Sequence, residues 1–131
     1  MDETRKLVLD SFAWFEYFYG SDKGIEIKGI VESGNSITPS IVIAELSEKY
    51  RRMEKSFVKN LLFIKLKSVI VSLSEDIAKN AGEINFERKK KIKNWGMSDS
   101  IVLATARSVN GIVITGDEHF KDLENEIRML S

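Results

Sequence analysis

The chain has 131 residues, with 20 Lys+Arg against 20 Asp+Glu and a formal net charge of zero. That length argues for one domain over 1–131, long enough to bury roughly two-thirds of its unfolded surface. The neutral balance excludes a global attraction to polyanions, so any nucleic-acid contact must come from a local patch. Cysteine is absent, which excludes disulfides, thiolate zinc sites and a cysteine nucleophile, and suits a reducing cytoplasm.

No apolar run reaches the length of a membrane span. Asp10 and Glu16 interrupt the apolar stretch that a signal peptide would need. Lys6 to Leu9 reads as a short buried strand ending at Asp10, and Ser11 to Phe18 as the opening of a helix. Asn35 to Ile37 reads as a second strand. Thr38 is the expected N-cap and Pro39 the expected first residue of a helix reaching about Met53. A further amphipathic helix is expected over Ser56 to Lys65. Ser68 to Leu73, rich in valine and isoleucine, reads as a strand. Ser74 can cap the next helix, with Glu75 and Asp76 in its first turn and Ile77, Ala81 and Ile84 at helical spacing. Asn94 to Met97 breaks that pattern, and Ser98 to Val109 resumes it with a small-residue face. Ile112 to Thr115 is a strand, Gly116-Asp117 turns the chain, and Glu126 to Leu130 is a last edge strand. Strands alternating with helices imply a mostly parallel sheet in a three-layer α/β/α sandwich.

Four acids stand apart from the solvated majority. Asp10 and Asp117 follow apolar strands, at the carboxyl edge where open parallel sheets bind ligands. Glu45 shares a helix face with Ile41 and Val42, where a lone carboxylate is costly. Asp99 stands in the first turn of an apolar helix. Each has an ordinary reading: Asp99 as a helix N-terminal acid, Asp10 and Asp117 as turn residues, Glu45 as an edge residue reaching water. Together they can converge on one pocket. Without a cation they would repel one another and take up protons. An all-oxygen site suits Mg²⁺ or Mn²⁺ rather than zinc. Such a cation activates water and neutralises charge on a phosphodiester. His119 is the only histidine, so a two-histidine nuclease mechanism is excluded. No Gly-x-Gly or Gly-Lys pair exists, which removes dinucleotide, kinase and Walker A loops.

The order of these blocks is Leu7-Val8-Leu9-Asp10-Ser11, Ile41 to Leu46 around Glu45, Ser98-Asp99 to Ala106, and Ile112 to Phe120 with Thr115-Gly116-Asp117. It resembles the PIN-domain family, in particular its small VapC-like toxins, over about Leu7 to Leu130. The resemblance implies a ribonuclease dependent on Mg²⁺ or Mn²⁺, leaving 5′-phosphate and 3′-hydroxyl ends. Asp10, Glu45, Asp99 and Asp117 would be its catalytic and metal-binding acids, with Thr115 and Ser11 supporting them. It further implies an RNA substrate, a small antitoxin protein as partner, and a homodimer. The family also contains inactive and RNA-processing members.

Two basic runs are candidate RNA contacts. One carries Lys49, Arg51, Arg52, Lys55, Lys59, Lys65 and Lys67; the other, just before Asp99, holds Arg88, Lys89, Lys90, Lys91 and Lys93. Solvated helix surface is the competing account of both. Within the aromatic run, Phe12, Phe15 and Tyr19 share a face and are expected in the core, which leaves Trp14 and Phe18 more exposed. His119 is expected to face solvent. A phosphate-accepting receiver module would need an acid ending the third strand, and Ser72, Leu73 and Ser74 stand there instead. A decayed, non-catalytic scaffold is not indicated while all four acids are present.

Overall fold

The computed structural model describes residues 5–131. Its elements are β1 (Leu7–Leu9), α1 (Ser11–Tyr19), α2 (Asp22–Glu32), β2 (Ser36–Pro39), α3 (Ser40–Arg52), α4 (Val58–Lys67), β3 (Val69–Val71), α5 (Glu75–Lys89), α6 (Met97–Ser108), β4 (Ile112–Thr115), a 3-10 turn (Glu118–Phe120) and β5 (Ile127–Met129). The strands lie in the order β3-β2-β1-β4-β5, and every neighbouring pair is parallel. Every residue of β2 and β4 is buried, which requires helices over both faces of the sheet. This is the expected three-layer sandwich, with a sheet that is parallel throughout. Edge strands β3 and β5 are only partly covered.

The core runs from the central strands into the helices. Val8, Leu9, Val113 and Ile114 meet Trp14, Ile27, Leu46, Ile64 and Leu103, all wholly buried. The aromatic expectation is corrected here. Trp14 is in the core and Tyr19 is 71% exposed. The Trp14 Nε1–H donates to Thr38 Oγ1 at 2.9 Å, and Thr38 Oγ1 lies 2.7 Å from Ser68 Oγ. A buried indole N–H needs such a partner. Thr38 is therefore occupied inside β2 and does not cap α3. Pro39 takes the N-cap position, with no side-chain bond, and Ser40 begins the helix.

Helix α2 has no counterpart in the sequence reading. Ser21 caps it, accepting from the Gly24 amide at 3.1 Å. Two glycines within eleven residues lower helix propensity and hide the pattern. Gly24 is required by close approach, because a Cβ there would overlap the Glu16 carbonyl of α1. Tertiary packing thus outweighs local propensity at this point.

The strand order explains where a ligand can enter. From β1 the sheet extends to β2 and β3 on one side, and to β4 and β5 on the other. Chain connections leave in opposite directions from β1 and β4 and open a crevice between their carboxyl ends. Asp10 directly follows β1, and Asp117 lies two residues beyond β4.

Candidate metal centre

Each acid reaches the crevice by a separate local device. Asp10 is the N-cap of α1, and its Oδ1 accepts from the Ala13 amide at 2.8 Å. Asp117 caps the 3-10 turn, its Oδ1 accepting from the His119 amide at 2.9 Å. Its own amide donates to Thr115 Oγ1 at 3.0 Å. Asp99, third residue of α6, accepts at Oδ2 from the Gly96 amide at 3.1 Å. That is the returning half of a capping box. Glu45 stands one turn into α3, where the nearby Ser11 and Ser98 hydroxyls favour its charged form.

The four acids share one electrostatic environment. Burial pushes the Asp10 carboxyl up to about 7, reinforced by the charges of Asp117 and Glu45 and opposed by the Thr115 hydroxyl and Ala13 amide. Burial also raises Glu45, against the pull of the Ser11 hydroxyl, and the Asp99 charge raises it further. Asp99 is raised by burial and by Asp117, against the Gly96 amide and His119. Carboxyls that are hard to ionise together are the setting in which a divalent cation is favourable. The donor set therefore fits a divalent cation. The cleft beside these acids, about 260 Å³, is lined by Ser11, Phe12, Glu45, Lys49, Arg52 and Asp117 among others.

His119 is not the solvent-facing residue expected. Its side chain is 30% exposed, but Nδ1 points inward, 3.5 Å from Asp99 Oδ2 and 3.4 Å from Asp117 Oδ1. Ligand atoms of Asp99, Asp117 and His119 all lie within 4.8 Å of one another. Ser98 is the other residue that sequence reasoning passed over. It sits inside the quoted Ser98-Asp99 block, but nothing local shows that it faces a glutamate on another helix.

The second basic run divides. Arg88 is buried; its guanidinium pairs with Asp122 at 2.8 and 3.1 Å, donates to the His119 carbonyl at 2.9 Å, and lies 4.1 Å over the Trp95 ring. It is a structural cation, not an exposed hand for RNA phosphates, and this corrects the expectation for that residue. Lys89, Lys90, Lys91 and Lys93 are exposed. Lys90 and Lys91 border a larger cavity of about 750 Å³ between α5 and α6, which none of the four acids lines. The basic side chains at the acidic cleft come from the first run, as Lys49 and Arg52.

Fold and site together define a class: an all-parallel α/β domain with an acidic cleft at its switch point. The sequence model of the PIN domain matches residues 7–126, and the chain belongs to that family. No curated protein matches the chain at a significant level. Among solved structures, it is similar to a toxin–antitoxin complex from Klebsiella pneumoniae, with 17% identity, TM-score 0.76, and coverage of 96% of this chain and 98% of that one. It is similar to VapBC2 from Rickettsia felis bound to a promoter DNA fragment, with 19% identity, TM-score 0.70, and coverage of 95% and 98%. It is also similar to DNA-bound VapBC from Salmonella typhimurium, with 20% identity, TM-score 0.69, and coverage of 97% and 99%. At these identities the likeness is one of fold.

Proposed function

We propose that this chain is a Mg²⁺- or Mn²⁺-dependent ribonuclease and the toxin of a toxin–antitoxin pair. The observation that carries the reading is the convergence of Asp10, Glu45, Asp99 and Asp117 at the switch point, where burial and neighbouring carboxylates raise the carboxyls of Asp10, Glu45 and Asp99. Those four side chains would hold the cation. When bound, it supplies charge neutralisation at the phosphodiester and an acidified water. The chain's own residues do the rest. Ser11 and Ser98 orient Glu45, Thr115 steadies Asp10 and the Asp117 amide, and the backbone amides of Ala13, Gly96 and His119 each fix one carboxylate. Lys49 and Arg52 line the same cleft, where they can grip flanking phosphates.

An antitoxin partner is supported by the kind of complex in which the similar structures were solved. It is also supported by an exposed apolar row, Val58, Leu62 and Leu66 along α4 with Val69 beside it, surface of the sort a partner covers. Homodimerisation belongs to the same proposal. The lack of cysteine suits the cytoplasm, where such an RNA substrate resides. Among the described residues no helix is long and apolar enough to cross a membrane.

The test is incubation of a labelled structured RNA pool with Mg²⁺, with Mn²⁺ and with EDTA, alongside Asp10→Asn. Metal-dependent cutting that the variant lacks is the expected result. Cutting that persists in Asp10→Asn, or in EDTA, with contaminating nuclease excluded, sinks the assignment.

A further inference from the structure

We propose that His119 is itself a ligand, its Nδ1 completing the cation site with Asp99 and Asp117 and biasing that site toward Mn²⁺ over Mg²⁺. The inference rests on the proposed metal-dependent activity and adds to it a donor of a different kind.

The geometry comes first. Nδ1 lies 3.5 Å from Asp99 Oδ2 and 3.4 Å from Asp117 Oδ1. Two ligands at right angles on an ion with bonds of about 2.1 Å stand about 3 Å apart. Nδ1 therefore stands a few tenths of an ångström further from each carboxylate oxygen than it would in a closed set of ligands.

Second, Nδ1 is buried and makes no hydrogen bond of good geometry. Its neighbours are the Asp99 and Asp117 oxygens at 3.4–3.5 Å, too long for a well-formed hydrogen bond, and a cation between the two carboxylates would satisfy the nitrogen fully. Third, the residue is held from both sides of its backbone. Its amide donates to Asp117 Oδ1 at 2.9 Å, and its carbonyl accepts from Arg88 at 2.9 Å. Arg88 is anchored in turn by Asp122 and the Trp95 ring. A buried guanidinium with two such anchors fixes the 3-10 turn, so the imidazole is delivered to the acids rather than free to swing away. A ligand held in place by groups behind it is the usual construction of a metal site.

An imidazole nitrogen changes selectivity. Mg²⁺ prefers oxygen alone, whereas first-row transition ions accept nitrogen readily. The chain contains a single histidine, so any imidazole signal on a bound ion identifies His119. The experiment uses tag-free full-length protein loaded with Mn²⁺. Pulsed EPR on protein labelled with ¹⁵N only at histidine is compared with unlabelled protein and with His119→Phe, which keeps a ring of similar bulk and removes both nitrogens. Mn²⁺ and Mg²⁺ affinities are measured by calorimetry.

The expected result is a directly coordinated ¹⁴N coupling that becomes ¹⁵N on labelling and vanishes in His119→Phe. Mn²⁺ affinity should fall at least about tenfold in the variant, while Mg²⁺ affinity stays within about threefold. Mn²⁺ bound without imidazole coupling, at equal affinity in both proteins, overturns the role of His119 and leaves the metal reading intact. No Mn²⁺ bound to the unmodified protein overturns both. Thermal unfolding of His119→Phe in EDTA separates a lost ligand from a lost fold.

Discussion

Asp10→Asn should make the metal-free protein more stable at pH 8, although it removes a residue proposed to be essential for cleavage. The carboxyl moves from its ordinary 3.8 to about 7 in the fold, mainly because it is buried. A shift of about three units corresponds to about 4 kcal/mol between the protonation states. The sign follows from proton counting. Between about pH 4 and 7 the folded chain holds a proton on Asp10 that the unfolded chain has lost. Stability therefore falls as pH rises through that window, and the full penalty is present above it. Asparagine removes the charge and keeps an oxygen for the Ala13 amide, so the α1 cap survives. After allowing for the altered contact with Thr115, the expected gain is about 2–3 kcal/mol at pH 8 in EDTA, shrinking toward zero near pH 4. Urea unfolding at several pH values reads it directly. Adding Mn²⁺ at about a hundred times its dissociation constant should stabilise the unmodified protein by about 2.7 kcal/mol and the variant hardly at all. A variant less stable than its parent at pH 8, or a difference that does not shrink with acid, would refute the account of Asp10 as an anion waiting for a cation.

Two further outcomes test the surroundings of the site. Reversing Lys49 and Arg52 to Glu should weaken RNA binding across sequences and flatten its salt dependence by roughly 0.7 per lost phosphate contact; filter binding at several salt concentrations decides this. The parallel reversal of Lys89, Lys90 and Lys91 should do less, since Lys90 and Lys91 border the α5–α6 cavity rather than the acidic cleft. Asp122→Asn leaves the buried Arg88 guanidinium without its anion. Chemical denaturation should report a loss of about 2–3 kcal/mol, because an unpaired buried charge is costly.

How far the sequence could be read depends on whether the information was local. Asp10, Asp99 and Asp117 were legible because each follows a strand or opens a helix, positions marked by neighbouring residues. The strands were legible from runs such as Ile112 to Thr115. Helix α2 was not, because Gly24 and Gly29 weaken its propensity, and its reason for existing is a packing contact with Glu16 in α1. Trp14 misled for a related reason: its partner Thr38 lies twenty-four residues away, so the face it buries cannot be judged from α1 alone. Arg88 looked like part of a solvated basic run because Asp122, which neutralises it, lies thirty-four residues along the chain. His119 was undervalued because the Asp99 oxygen that its Nδ1 faces comes from α6, twenty residues earlier in the chain.

The ordinary reading of the acids and the proposed one are not rivals. Asp10, Asp99 and Asp117 do cap helical turns, each accepting from a backbone amide. Those amides sit at the positive ends of their helical turns and help three carboxylates coexist in a buried cleft. Glu45 lies within α3 and has no helix end to lean on, so it draws on two hydroxyls, from Ser11 and Ser98. A sheet switch point brings helix N-termini to one edge as a consequence of topology. Acids placed there for capping then face one another, and a cation-binding site needs only a fourth carboxylate from the neighbouring helix. That is why three of the four acids of the proposed site look, one at a time, like routine helix starts.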